Sequence, residues 1–461
     1  MVRTKISLLT ALIVLAFPST SCANAFDELQ TAVKKANQPQ QEKIAEFHHW
    51  LDQYFTQYEA WRDNYTANQD KQRAALIDKW GSSEISSATK SVEYTEDVKK
   101  VIDYENNTAT ISVLVDANQQ DVELNTKQNI EIDGQTISFA KAQKQEVAVD
   151  YSLEQENKEK QFIFDQIEDQ MRQLDVQADR LIAMNTGAPD DFIYQRAHNK
   201  KMELIQSASK RVSAISEQFS AQRAKLGIKL EQPASKEVEA EKSTTVAAPV
   251  HESKPPVEVA DQEVPPKKAE KKIVSYQVKL PNNSLASLAE TYRPLAVKEG
   301  ERWGIDSSLI MAIMHNESSF RPTVVSGAPA YGLMQVVPTS AGHDVNLQFR
   351  GIDAPMSPDD LFVPEINVET GTAYLSILQD RYLNKIKDKQ SRTYCMIAAY
   401  NTGAGNVGRA FNPDGAINLN NAIDIINTMT PNEVYQHLLE HLPYHETRNY
   451  LPKVTQSLAL Y

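Results

Sequence analysis

The chain has 461 residues, 41% hydrophobic and 24% charged, with a formal net charge of -13. A mean hydropathy of -0.48 excludes a protein that crosses a membrane many times, and the acidic balance is the wrong sign for a nucleic-acid-binding surface. Two cysteines, Cys22 and Cys395, exclude a disulfide framework and a four-cysteine metal site.

Arg3 and Lys5 precede an apolar run from Ile6 to Phe17, and a small-residue stretch follows, ending in Ala23-Asn24-Ala25. A basic start, a short apolar core and an A-x-A ending mark residues 1–25 as a secretory signal peptide, too short to span a bilayer comfortably. Two processing routes are open. Cleavage after Ala25 releases a soluble exported protein, whereas cleavage before Cys22 leaves a thiol for lipidation and a membrane anchor. Ser19 stands where a lipoprotein signal usually has leucine, which favours the soluble product.

Residues 26–140 read as a small α+β module. Phe47, Leu51, Tyr54, Tyr58 and Trp61 recur at spacings of three and four on one helical face. Ile111, Val113 and Val115 alternate with their neighbours as in a strand with at least one buried face, and Asp133-Gly134 between alternating runs predicts a hairpin.

Residues 141–228 read as a helical hairpin. Phe164, Ile167, Met171, Leu174, Ala178 and Leu181 repeat at three and four, as do Ile205, Ala208, Val212, Ile215 and Phe219, with a helix breaker over 185–191 between them. Each stripe is only about two and a half heptads, so it needs a neighbour or a second copy to pack on. The hairpin is expected to serve as a spacer, to recruit partner proteins or to self-associate. Residues 229–275 form a linker: six prolines (Pro233, Pro249, Pro255, Pro256, Pro265, Pro266) lie among Lys, Glu, Ala and Val, with no aromatic residue from Glu231 to Lys272. A strand-like run from Ile273 to Leu280 is expected to pair back onto the N-terminal module.

Residues 276–461 hold eleven of the 15 glycines, and their helix-length apolar runs predict an all-helical domain with functional loops. Asp306 is placed to cap a helix starting at Ser307. Leu309, Ile313 and Glu317 are spaced by four, so the carboxylate continues a buried stripe near a helix C-terminus. Burial and the dipole both raise its pKa, the environment of a general acid in glycoside cleavage. Arg321-Pro322 ends the helix.

Three short motifs follow in order: Glu317-Ser318-Ser319-Phe320, Tyr331-Gly332-Leu333-Met334-Gln335 and Ala399-Tyr400-Asn401-Thr402-Gly403. Together they resemble the lytic murein transglycosylases with a goose-type-lysozyme-like fold, over about residues 285–458. Glu446-Thr447-Arg448-Asn449-Tyr450 belongs to the same resemblance, while Gly371-Thr372-Ala373-Tyr374-Leu375 and Ile426-Asn427-Thr428-Met429-Thr430-Pro431 look like a membrane-bound branch of that family, which implies other cell-wall enzymes as partners of the helical hairpin. The hairpin and the proline-rich linker depart from its compact form. The resemblance implies a multi-domain protein with an all-α lysozyme-like catalytic domain, exported to the periplasm and acting on peptidoglycan glycan strands without a cofactor. Its outer-membrane anchor would be Cys22. Glu317 would be the sole acid/base, with Ser326 near an N-acetyl group, Met334 and Gln335 lining the groove (a place in the core being the competing reading for the Met334 side chain), Tyr400 and Asn401 shaping its floor, and Glu446 and Tyr450 closing it.

Such a mechanism cleaves by closing a 1,6-anhydro ring. A partner carboxylate among Asp344, Asp353, Asp359 and Glu365 would favour hydrolysis instead. Two further classes compete. His437-Leu438-Leu439-Glu440-His441 matches an H-x-x-E-H zinc motif, though Pro443 follows at once and little chain remains for a third ligand. A non-catalytic glycan-binding scaffold is the other, disfavoured by Glu317 on its buried stripe.

Overall fold

The computed structural model describes residues 40–120, 122–124, 130–132, 135–183, 189–228, 270–280 and 284–461, with side chains described at 56 and from 59 onward apart from 132, 135, 183 and 284. The signal peptide, Cys22, most of the linker and the Asp133-Gly134 turn lie outside the described residues. The chain divides at Gln57 into two compact units, and everything below concerns the second, Tyr58–Tyr461. It is mostly helical, with a small antiparallel sheet.

Helix α1 (Gln40–Trp80) leads into strands β1 (Lys90–Thr95), β2 (Val98–Asp103) and β3 (Thr108–Asp116). After a two-stranded ribbon of β4 (Glu131–Ile132) and β5 (Gln135–Thr136) comes β6 (Gln143–Ala148), and β7 (Lys271–Lys279) completes the sheet in the order β1-β2-β3-β7-β6. β7 pairs with β3 from Thr108↔Lys279 to Asp116↔Lys271. The expected boundaries at 140 and 275 therefore both cut through one sheet. β3, expected to have at least one buried face, is buried on both and lies between β2 and β7: Ile111 and Ala109 are fully buried, as is Ser112, whose hydroxyl meets that of Ser275 at 2.9 Å. β6, an edge strand, is exposed throughout and carries Lys144 and Glu146, charges that discourage further strand addition.

Helices α2 (Leu153–Ala183) and α3 (Asp190–Leu226) pack against each other along their length. Their apolar seam runs through Ile163, Ile167, Leu174, Leu204, Ala208, Ile215 and Phe219. Phe164 and Ile205, assigned to the seam from sequence, are instead 50% and 45% exposed. Both positions three and four before a seam residue can face the seam, and here the residues four before Ile167 and Ala208, Ile163 and Leu204, take it. α1 is bolted to α2 by a buried ion pair: Arg73 Nη2 donates to Glu159 Oε2 at 2.7 Å and Arg73 Nε to Ser83 Oγ at 3.0 Å. Glu159 Oε1 also accepts from the Ser83 amide at 2.8 Å.

The remaining helices surround one of their number. α4 (Ser284–Trp303) is followed by α5 (Ser307–Ser318), then by α6 (Pro364–Ile377), α7 (Lys389–Thr402), α8 (Ala404–Phe411), α9 (Leu419–Ile426), α10 (Pro431–His441) and α11 (His445–Ser457). α5 is capped as expected, the Asp306 carboxylate accepting from the Ser308 amide at 3.0 Å. Every residue from Leu309 to Met314 is buried. A helix apolar all round belongs inside a core, so the stripe read from sequence was too narrow. Against α5 pack α4, α11 and the chain's last turn.

Candidate active site

Glu317 is the penultimate residue of α5, which ends where Ser319 and Phe320 turn into the left-handed region with φ of 50° and 59°. The following loop folds back over the helix end: the Ser318 hydroxyl donates to the Leu333 carbonyl at 2.8 Å, and Tyr331 bridges both Val325 and Val336. Gly332 sits at φ 76°, where a side chain would strike the Leu361 carbonyl at 2.3 Å and the Asn367 amide at 2.4 Å, so glycine is required. Asn367 fixes this loop, donating to the Tyr331 and Leu361 carbonyls and accepting from the Met334 amide at 2.8 Å.

A cavity of about 290 Å³ opens beside Glu317. Its walls include Ser326, Gln335, Tyr400, Asn401, Glu446 and Tyr450, residues scattered over 125 positions of sequence. Glu317 is half-buried and lines this cavity. Burial raises its pKa to about 8, aided by the nearby charges of Glu446 and Asp169 and opposed by the Tyr450 hydroxyl and Arg172. Tyr450 lies beside the carboxyl, its hydroxyl buried without a partner in full hydrogen-bonding geometry.

The other expected site residues divide by what their polar atoms do. The Tyr400 hydroxyl donates to the Met334 carbonyl at 2.8 Å, holding the loop to α7. Asn401 donates from Nδ2 to Glu446 Oε1 at 3.1 Å and accepts from the Thr447 hydroxyl at 2.7 Å, tying α7 to α11. The Ser326 hydroxyl is committed to its own turn, donating to the Ala328 carbonyl and accepting from the Ala330 amide. Gln335, at φ 48°, spends its side-chain nitrogen on the Val324 and Gly332 carbonyls at 3.0 and 2.9 Å. Met334 is a correction. Its side chain is fully buried, packed where Gly371 leaves room, and does not line the cavity; only its backbone supports the site.

None of the carboxylates weighed as a second group reaches the cavity. Asp344 pairs with Arg180 of α2, and Asp353 lies 2.7 Å from His343 Nε2. Asp359 lies in a one-turn helix (Pro358–Leu361) and Glu365 in the first turn of α6. His437 and His441 stack at 4.0 Å between ring centroids; His437 Nε2 contacts the Ala410 carbonyl and His441 Nδ1 the His437 carbonyl. Among the described residues no group of three or more His, Cys, Asp or Glu is placed to hold a metal ion.

What sequence reasoning missed is the opposite wall. Asp169, Arg172, Gln173 and Val176 of α2 line the same cavity, with Ser86, Ser87 and Ala88 before β1. Arg321, read only as a helix terminator, clamps that segment by donating to the Ser87, Ala88 and Lys90 carbonyls. α2 is buried on its polar face as well: Gln166, Gln170, Gln173, Gln177 and Arg180 recur at three and four and are all under 9% exposed. That spacing was visible in the sequence, but polar residues so arranged usually face water. Burial of Asp169 raises its pKa to about 6, against the pull of Arg172.

Residues 294–423 match the family model described as Transglycosylase SLT domain. The relative named membrane-bound lytic murein transglycosylase C from Serratia proteamaculans is 47% identical over 189 residues, 41% of this chain and 51% of that protein. The protein of the same name from Yersinia enterocolitica is 45% identical, again over 189 residues, 41% and 51% of the two chains. The chain thus spans about half the length of the curated relatives it matches. A solved lytic transglycosylase Slt from Pseudomonas aeruginosa, an inactive mutant, is 29% identical, covering 37% of this chain and 24% of that one with a TM-score of 0.28. The resemblance read from the three motifs thus agrees with these comparisons, and residues 294–423 match an SLT transglycosylase domain.

Proposed function

We propose that this protein is a lytic transglycosylase that cleaves the β-1,4 bond between muramic acid and glucosamine units of peptidoglycan, leaving a 1,6-anhydromuramic end, in cell-wall turnover. The observation that carries the reading is Glu317, a carboxyl held at the floor of a cavity in an SLT domain with its pKa raised to about 8. Such a group is protonated at neutral pH and can donate to the glycosidic oxygen as the bond breaks. Once ionised it is a correspondingly strong base. It then takes the proton of the muramic C6 hydroxyl, whose oxygen attacks C1 of the same sugar and closes the ring.

Glycosidases ordinarily use two carboxyls, but the substrate's own acetamido oxygen can stabilise the positive centre. The attacking hydroxyl is already tethered, so no enzymic group has to activate a water. Tyr450 and Asn401 supply polar contacts around the acid, and Tyr400 shapes the loop that faces the sugar. The Serratia and Yersinia relatives are named as membrane-bound murein enzymes, which supports murein as substrate and an exported location. Among the described residues no helix is long and apolar enough to cross a membrane. Attachment to a membrane would rest on lipidation of Cys22, with cleavage after Ala25 giving the soluble form.

The test is turnover of isolated sacculi by the parent and by Glu317→Gln, with mass analysis of the products. Loss of activity by at least about 100-fold in the variant, and anhydro-ended fragments from the parent, are expected. Parental activity in the variant defeats the enzyme assignment to Glu317. Reducing ends would instead identify a hydrolase, for which Asp169 and Glu446 are the carboxylates at hand.

A further inference from the structure

The hairpin does more than separate two modules. Arg172 of α2 is nine-tenths buried and stands at the centre of the wall facing Glu317. Its Nη1 donates to the Asn401 carbonyl, and its Nη2 donates to Asp169 Oδ1 at 2.8 Å. The same Nη2 lies 3.5 Å from Glu446 Oε2, while Nε is buried without a partner. Asn401 returns to Glu446 through its own side chain, and the Glu446 amide donates to Glu168 Oε1 of α2 at 3.0 Å. α2 thus grips the ends of α7 and α11 at the two residues that flank the acid.

The charges facing Glu317 are Asp169 and Arg172 from α2 and Glu446 from α11, with the hydroxyls of Tyr400 from α7 and Tyr450 from α11. Three carboxyls share the cavity with one guanidinium. Without that cation, Asp169 and Glu446 would repel each other and any anion formed at Glu317, and the Asn401 carbonyl would lose its donor.

We propose that Arg172, supplied by the helical hairpin, is a positioning residue of the active site that holds Glu446 and the Asn401 backbone in place against Glu317. The inference rests on the functional reading above and extends the active site to a part of the chain outside the SLT match. A planar fork is suited to this because it can bond a carbonyl and two carboxylates at once; the point charge of lysine cannot.

The experiment uses the full exported chain as parent, Arg172→Met, Arg172→Lys and Glu317→Gln. Release of soluble fragments from sacculi is followed against substrate concentration and pH. In parallel, the protonated Glu317 carboxyl is titrated by infrared difference spectroscopy, its band identified by its absence in Glu317→Gln. Arg172→Met is expected to lower kcat by about 10- to 100-fold with little change in KM. It should also move the Glu317 midpoint upward by about one pH unit. Arg172→Lys should restore the midpoint while leaving kcat severalfold low. Parental kcat in Arg172→Lys overturns the positioning role, and this variant carries the test if the methionine variant does not fold. Lower activity with an unmoved midpoint in Arg172→Met assigns the residue to packing alone and overturns the proposal. If Glu317→Gln retains full activity the functional reading falls, and the infrared midpoint, which needs no turnover, still decides whether Arg172 acts on Glu317.

Discussion

Replacing Gly405 by alanine tests how closely α2 docks on the SLT domain. Gly405 is the second residue of α8, and a Cβ built there would sit 1.9 Å from Asp179 Oδ2 and 2.3 Å from Asp179 Cγ. That is more than an ångström inside the 3.0 Å limit of real Cβ contacts. Two effects of opposite sign compete. Alanine in a helix is worth up to about 1 kcal/mol over glycine. Forcing extra volume into a packed site costs about 1–3 kcal/mol. The same displacement pulls Asp179 from Tyr194 and Arg409, 3.4 and 3.8 Å away. The clash should therefore win, giving a net loss of about 1–2 kcal/mol. Shortening the obstacle reverses the sign: in an Asp179→Ala background, Gly405→Ala should be neutral or stabilising. Urea denaturation of the four variants, with hydrogen exchange read at the amides of α2, measures the cycle. Equal destabilisation by Gly405→Ala in both backgrounds would refute the reasoning, because the cost would then not come from Asp179.

Glu317 couples stability to pH. Its carboxyl binds its proton more tightly folded (about 8) than unfolded (near 4.5), so the unfolded state holds fewer protons between these values. The contribution is greatest below about pH 4.5 and falls by about 1.4 kcal/mol per pH unit until about pH 8. Glu317→Gln should lack this slope, and its denaturation midpoint should overtake the parent's progressively across that window; parallel curves would contradict the burial argument. Because the Tyr450 hydroxyl favours the ionised acid, Tyr450→Phe should raise the alkaline limit of activity, seen as an upward shift in the kcat–pH profile. Arg73→Ala strands Glu159 in a buried site and should cost about 3–5 kcal/mol, measured by chemical denaturation, without altering the pH profile of cleavage.

The placing of the Glu317 carboxyl at the end of a buried helix was legible because that helix is a local feature: an N-cap at Asp306, apolar residues at spacings of four and a terminator at Arg321-Pro322 all lie within seventeen residues. The loop carrying Gln335 and the end of α7 carrying Tyr400 and Asn401 were legible through the family resemblance rather than through physics. Met334 was misassigned because a motif places a residue without saying whether its side chain or its backbone serves the site. Arg172 and Asp169 were not legible as site residues. Charged and amide side chains at helical spacing have the same pattern whether they meet water or a neighbouring domain, and only the tertiary arrangement distinguishes the two. A strand over residues 273–280 returning to the N-terminal module was expected, and β7 does pair with β3; its place between β3 and β6 was not foreseen, since hydrogen-bond partners so distant in sequence leave no periodic trace.

That strand has a practical consequence for anyone dissecting the molecule. β7 sits in the interior of the sheet, yet only a few residues separate it from α4. A fragment begun after β7 takes the SLT region away from the strand on which β3 and β6 both depend; one begun before it carries an unpaired ribbon into solution. No clean cut exists between the two halves. Loss of activity in an excised piece would therefore reflect a torn sheet as readily as a missing side chain.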